Sequence, residues 1–141
     1  MEHRLTIVAL GVRNLEESRA FYGVAFGWSE TKSSNESIAF FQLNGILLSL
    51  YPRDKLAEDA TVDPTGSGFK GYTLAYNCRS KAEVDKTIDY LRLHGADVVK
   101  EPQDVFWGGY SSYIADPDGH LWEIAFNPYL KLDDQGNIIP E

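Results

Sequence analysis

The chain has 141 residues, of which 43% are hydrophobic and 24% charged, and its formal net charge is −8. This length suits one domain or two small modules that share a core, and the composition is typical of a globular protein. The acidic balance argues against nucleic acid or an anionic membrane as a partner, because both select clustered lysines and arginines.

The N-terminal segment predicts a strand followed by a helix. Residues 5–12 are apolar and β-branched, which favours a strand. Asn14 and Glu17 form a capping box, in which the Asn side chain accepts from an amide of the first turn and the Glu side chain reaches back. Apolar residues then recur at helical spacing until Gly27, so we expect a helix over 15–26.

A hairpin is predicted next. Residues 38–43 and 46–51 are two strand-like runs separated by Asn44-Gly45, a dipeptide that tolerates the positive φ angles of a tight hairpin turn. A further strand is expected near 28–33, because the second half of the chain has one at the equivalent place.

A linker over 53–70, with a short helix over 54–59, separates two similar halves. In the second half, Ser80 and Glu83 form another capping box before a helix that ends at Gly95. The predicted strands of this half are 72–78, 96–100, 110–115 and 120–126. Cys78, the single cysteine, lies in an apolar run, which favours a buried thiol and excludes an internal disulfide.

The two halves are copies of one β-α-β-β-β unit. The capping boxes lie 66 residues apart and the hairpin turns Asn44-Gly45 and Asp118-Gly119 lie 74 apart, so the second copy has a longer loop. We predict a single α+β domain over 1–141. Its parts are module 1 (about 4–52), the linker (about 53–70), module 2 (about 71–128) and a C-terminal tail. Because one small sheet with one helix leaves a face uncovered, we expect paired curved mixed sheets around a cavity, with the helices outside.

Strand alternation predicts which side chains face this cavity. In the last strand, Trp122 and Ile124 form the more apolar set, which should lie under the helix and leave Glu123 in the cavity. The repeat offsets place Ser49 in the equivalent position of the first module, and pair Ile7 with Thr73 on the two first strands.

Two segments carry a resemblance to a known family. GVRNLEESRAFYGVAFGW (11–28) matches the strand–helix entry V-x-D-L-x-x-S-x-x-F-Y-x-x-x-L-G, and GGYSSYIADPDGHLWEIAFNP (108–128) matches the D-P-D-G-x-x-x-E hairpin. The chain therefore resembles the vicinal oxygen chelate superfamily, also called the glyoxalase/bleomycin-resistance/extradiol-dioxygenase superfamily. The resemblance implies the fold described above, and for an enzyme it implies a lyase or isomerase of the glyoxalase type.

In metal-dependent members of the superfamily, two positions in each module supply His and Glu ligands. The resemblance places these positions at Ile7, Ser49, Thr73 and Glu123, with Tyr72 in place of Thr73 if the register is shifted by one. Only Glu123 is a good ligand for a transition metal, because isoleucine has no donor atom and hydroxyl groups bind such ions poorly at neutral pH. We therefore predict no metal site and no cofactor.

We predict that the protein binds a small aromatic or cationic molecule in the cavity, with Glu123 as hydrogen-bond acceptor or catalytic residue. The expected ligand contacts lie on cavity-facing strands or at the cavity mouth: Ile7, Phe40, Ser49, Thr73, Trp107, Tyr110, Tyr113 and Glu123. One alternative is a metal-dependent lyase or isomerase in which His3 or His120 joins Glu123. Another is a metal-independent enzyme in which Glu123 is the base.

The sequence also predicts the location, partners and oligomeric state of the protein. The N-terminus has no signal-peptide core and no apolar run is long enough to cross a bilayer, so we expect a cytoplasmic protein that binds neither membrane nor nucleic acid. The resemblance implies a homodimer, because modules of this kind often pair across two chains. The sequence leaves open whether the cavity forms within one chain or between two.

Overall fold

The computed structural model describes residues 1–140, and Glu141, the last residue of the predicted tail, lies outside them. The chain divides into two compact units, Met1–Lys70 and Gly71–Glu141. The first unit consists, in chain order, of β1 (Ile7–Val12), α1 (Leu15–Val24), β2 (Ala39–Gln42), β3 (Leu47–Pro52) and α2 (Arg53–Ala60). Its sheet has the order β1-β3-β2, with β1 parallel and β2 antiparallel to the central β3.

Local sequence signals account for the start and packing of α1. The Asn14 side chain accepts a hydrogen bond of 3.0 Å from the Glu17 amide, as the capping box predicts. Tyr22 of α1 packs at ring-centroid distance 5.9 Å from Phe41 of β2, and both are buried with Leu10 and Leu50 of the sheet. This layer between helix and sheet is the core of the first unit.

The second unit consists of β4 (Leu74–Cys78), α3 (Lys81–Leu93), β5 (Asp97–Asp104), β6 (Tyr110–Ala115) and β7 (Leu121–Phe126). Its four strands have the order β4-β7-β6-β5, with β4 parallel to β7 and the other pairs antiparallel. Residues 1–140 thus form two mixed sheets and three helices, which confirms the predicted α+β class. The helices of residues 1–140 all fall short of the length and apolar character needed to cross a bilayer.

The strand expected near 28–33 is wrong. In this segment Glu30 forms an isolated bridge with Phe41, and the chain then turns through the polar residues before β2. The guanidinium of Arg19, on α1, donates to the carbonyl oxygens of Asn35 and Ile38 and so holds the backbone in a non-strand path. The first sheet therefore has three strands where the second has four.

Strand β5 is longer than the predicted 96–100 and continues through Pro102 to Asp104. Proline is tolerated there because β5 is an edge strand, and its register against β6 shifts on both sides of Lys100. The other predicted elements are confirmed with ends that differ by about two residues at most, which is the usual variation of helix and strand ends.

Candidate functional site

The four-stranded sheet has one face covered by α3 and one open face. Trp122 and Ile124 of β7 are buried on the helix side, and Val84 and Ile88 of α3 are buried with them. Glu123, between them in sequence, is half-buried and points to the opposite face. We call the sheet face opposite α3, or opposite α1 in the first unit, the open face.

A row of four residues crosses this open face at the level of Glu123. The strand register aligns Lys100 of β5, Tyr113 of β6, Glu123 of β7 and Ala75 of β4. Lys100 Nζ lies 5.8 Å from the centroid of the Tyr113 ring, within the range of a cation–π contact. The row therefore places a cation, a phenol and a carboxylate on adjacent strands.

The Glu123 carboxylate is bound by one hydroxyl group and lies opposite the phenol of Tyr113 on the neighbouring strand. Ser111 Oγ donates to Glu123 Oε1 at 2.7 Å, and the other carboxylate oxygen accepts no hydrogen bond from residues 1–140. Burial, reinforced by the Glu123 charge, raises the pKa of Tyr113, while a hydrogen bond with Thr73 acts in the opposite direction. The open face thus presents one carboxylate oxygen free to accept, next to a phenol that stays protonated at neutral pH.

Tyr110 lies on the other face of the sheet. Its hydroxyl donates to Asp85 of α3 at 2.6 Å, and this bond raises the pKa of Tyr110 to about 12. Lys81 of the same helix lies 5.7 Å from the Tyr110 ring. The structure therefore separates Tyr110 from Tyr113 and Glu123, although all three are expected ligand contacts.

Trp107 lies in the turn between β5 and β6, which is closed by a bond from the Gly108 amide to the Val105 carbonyl. Its indole covers Gly109 so closely that a Cβ added there would lie 2.0 Å from Trp107 Cη2. The paired glycines thus serve close packing of the indole on the backbone, and Trp107 remains partly exposed.

The histidines do not complete a metal site. His120 is buried and its Nδ1 lies 3.0 Å from the Tyr72 hydroxyl. His94 stacks on Tyr90 at 4.0 Å, and His3 is exposed in the segment before β1. Within residues 1–140, no group of three His, Cys, Asp or Glu side chains is arranged to hold a metal ion.

The first unit has a cavity of about 480 Å³ above the open face of its sheet. Its floor is formed by Ala9, Ser49 and Tyr51, and Phe40 pairs with Ser49 across the strands. Ile7 is 43% exposed on the same face of β1, opposite the buried Leu10. Of the residues expected in the first module, the structure therefore places Ser49 in a cavity and Ile7 and Phe40 on the same open face.

Two segments form the walls of this cavity. One is the irregular stretch held by Arg19, which contributes Asn35, Ser37 and Ile38. The other is α2, which contributes Leu56 and Asp59. These wall residues were missed by sequence reasoning, because the helical pattern predicts α2 without saying which of its faces meets the sheet.

Comparisons with known proteins support the family assignment. The profile of the Glyoxalase/Bleomycin resistance protein/Dioxygenase superfamily matches residues 4–124. A glyoxalase-related enzyme from Fulvimarina pelagi is 35% identical, with 99% of each chain covered and a TM-score of 0.87. The chain belongs to this superfamily.

More distant structures show the same fold. A family protein from Nocardioides is 26% identical with a TM-score of 0.75, covering 89% of this chain and 84% of that one. Lactoylglutathione lyase from Agrobacterium tumefaciens is 23% identical with a TM-score of 0.69, covering 90% and 96%. At 23% identity the likeness to the lyase concerns the fold alone.

Proposed function

We propose that this superfamily member binds a small aromatic or cationic molecule on its open faces, and that it does so without the metal site of its metal-dependent relatives. The observation that carries the proposal is the Glu123 carboxylate, which faces away from the core with one oxygen bound to Ser111 and one oxygen free. A half-buried carboxylate with a free acceptor oxygen is suited to receive a hydrogen bond from a ligand N–H or O–H group.

The side chains at the four positions where the resemblance implies metal ligands argue against a transition-metal site. At the four positions implied by the resemblance, Ile7 offers no donor atom, and Ser49 and Thr73 offer neutral hydroxyls. Glu123 is the single strong ligand of the set, and one of its oxygens already accepts from Ser111. One carboxylate is too few for the three or four nitrogen, sulfur or oxygen ligands of usual protein sites.

The proposed contacts on the second sheet are Thr73, Tyr113 and Glu123, with Trp107 at the loop that precedes β6. A phenol and an indole supply flat apolar surface for an aromatic ligand, and both rings attract cations through their faces. Ile7, Phe40 and Ser49 are the proposed contacts on the first sheet. Tyr110 is left out, because its side chain is bound to α3.

A second proposal is catalysis with Glu123 as a general base. It is favoured by the free carboxylate oxygen beside a protonated Tyr113. The relative from Fulvimarina pelagi is described as an enzyme, which supports catalysis without indicating its substrate. The lyase or isomerase class of the superfamily is the class of reaction we would test first.

The test compares Glu123→Gln with Glu101→Gln, a matched change at an exposed carboxylate on β5 that pairs with Arg92. We expect Glu123→Gln to weaken ligand binding about tenfold or more, the scale of a lost charge-assisted hydrogen bond, with little change in Tm. Glu101→Gln should bind as the wild type does. Elemental analysis of protein purified without added metal, and thermal shifts with nickel, zinc, manganese and iron, complete the test. Stoichiometric metal held through Glu123, or unchanged binding by Glu123→Gln, contradicts the proposal.

We further propose a homodimer in the cytoplasm that has neither nucleic-acid nor membrane partners. The net charge of −8 supports the last point, because it repels phosphate backbones and anionic lipid headgroups. Sedimentation equilibrium measures the oligomeric state directly, and a monomer at micromolar concentration would contradict the dimer.

A further inference from the structure

We propose that the cavity of the first unit binds the ammonium group of a small organic amine, with Asp59 of α2 as its counter-ion. The inference names a ligand class for the proposed binding function, and so rests on it, but it depends on residues other than Glu123. It begins from the charges of the cavity walls. Asp59 is the acidic residue among those that line the cavity, and no lysine or arginine lines it.

The cationic residues of α2 are engaged elsewhere. Lys55 Nζ lies 2.9 Å from Glu58 Oε2, and Arg53 Nε donates to the Pro64 carbonyl at 2.8 Å. The side chain of Asp59 is exposed at the rim of the cavity and makes no ion pair or side-chain hydrogen bond with any other residue of the described part of the chain. Its carboxylate is therefore a free negative charge beside the cavity and is available to a ligand cation.

The remaining lining suits the body of such an amine. Tyr51 supplies a ring whose face attracts cations, while Ile38 and Leu56 supply apolar surface. Ser49 on the floor supplies a hydroxyl that accepts a hydrogen bond from an ammonium N–H. A volume of about 480 Å³ lies in the range of small-molecule sites.

Charge also excludes other ligand classes. An anionic ligand would meet the Asp59 carboxylate without a compensating cation in the lining, and would approach a chain of net charge −8. A neutral ligand would gain from the apolar walls, and its O–H or N–H could donate a hydrogen bond to the carboxylate, but it would lack the charge attraction that strengthens such a bond. The geometry therefore favours a cation with an apolar body.

The test uses phenethylamine as probe and phenethyl alcohol as its neutral match, at neutral pH, with affinities measured by isothermal titration. We expect the wild type to bind the amine about tenfold more tightly than the alcohol, and Asp59→Asn to lose that preference. Asp54→Asn is the control, because it makes the same charge change on α2 at a residue outside the cavity lining. It should bind the amine as the wild type does.

Amide shifts from NMR titration locate the probe and separate the two proposals. Shifts at Ser37 and Ile38 that disappear in Asp59→Asn support the inference, whatever Glu123→Gln does to binding. Equal affinity for amine and alcohol, an unchanged preference in Asp59→Asn, or no saturable binding of the amine would overturn it. If Glu123→Gln alone weakens amine binding, the Glu123 proposal stands and the role of Asp59 is refuted.

Discussion

Both units begin with a strand and a helix and continue to an antiparallel strand pair, but they differ at the segment that follows the helix. In the second unit this segment is the edge strand β5, and in the first it is an irregular stretch with one β-bridge to β2, between Glu30 and Phe41, and a hydrogen bond from the Phe40 amide to Ser34 Oγ. The edge strand extends the open face and carries Lys100 beside Tyr113. The irregular stretch instead forms a wall of the cavity. The sheet with three strands is therefore bordered by a cavity wall where the sheet with four strands has an edge strand.

Two arginines, one on the helix of each unit, show this difference. Arg19 on α1 pairs with Glu30 at 3.1 Å, and Arg92 on α3 pairs with Glu101 at 2.7 Å, each with the segment that follows its own helix. The side chains of the first pair are 17% and 33% exposed, whereas those of the second are 47% and 68% exposed. Arg19 also donates to the backbone carbonyls of Asn35 and Ile38. In a regular strand such carbonyls would accept from the neighbouring strand instead.

Arg19→Met should have the largest effect of the changes considered. It removes the donors to the carbonyl oxygens of Asn35 and Ile38 and the cation that pairs with Glu30. We therefore expect a loss of about 1–3 kcal/mol in the free energy of unfolding, most of it from the lost hydrogen bonds. Amide hydrogen exchange over residues 30–38 should accelerate, and denaturant unfolding measures the stability.

Arg92→Met is the matched change in the second unit. An exposed ion pair contributes little, so its loss should cost less than about 1 kcal/mol and leave exchange in β5 unaltered. Equal losses for the two variants would show that the irregular stretch does not depend on Arg19.

Val12 and Cys78 occupy equivalent ends of β1 and β4, and both are buried. A pH-dependent effect, smaller than that of Arg19→Met, is expected at Cys78. Burial raises the pKa of the Cys78 thiol from 9.0 to about 11. Between these values the unfolded chain releases a proton that the folded chain keeps, so stability should fall as pH rises, by about 1–2 kcal/mol at pH 11. Cys78→Val introduces the residue that the first unit has at this position. It should remove this part of the fall in unfolding free energy at alkaline pH, which urea unfolding at a series of pH values measures.

The same burial predicts the reactivity of the thiol. In the folded protein Cys78 should react with a disulfide reagent at least about tenfold more slowly than an exposed thiol, because burial lowers its thiolate fraction and limits access to the sulfur. Rapid reaction at neutral pH, or an alkaline slope unchanged in Cys78→Val, would contradict a buried thiol.

Much of the fold could be predicted from sequence because its signals are local. The Asn14 and Ser80 caps and the alternation of β7 depend on residues within one turn or one strand, and each is confirmed. The strand near 28–33 could not be predicted correctly, because this segment is held by side-chain contacts with other elements, from Arg19 of α1 to its carbonyls and from its own Ser34 to Phe40 of β2. Propensity alone carries no information on such a contact.

The candidate site was less predictable for the same reason. Alternation places Ser49 and Glu123 on open faces, since the period of a strand requires only the strand itself. It does not indicate that Tyr110 would reach Asp85, nor that Asp59 would line a cavity, because both depend on how a helix packs on its sheet. The face to which a strand residue points can be predicted from the alternation of the strand. The contacts of a residue that belongs to a neighbouring helix or loop cannot be predicted in this way.

A similarly small effect on stability is expected in the longer loop of the second unit, which has no counterpart in the first. Gly109→Ala adds a methyl group where the end of the Trp107 indole lies, while the backbone of Gly109 does not have the positive φ of Gly108. Because the atom displaced is the far end of a partly exposed side chain, the indole should swing outward at a cost of about 1 kcal/mol or less. Iodide should then quench more of the tryptophan fluorescence, and the same change in a Trp107→Phe background should alter quenching of Trp28 and Trp122 little. A loss of several kcal/mol instead would mean that the turn itself cannot adapt, and that Gly109 is required by the backbone rather than by the indole.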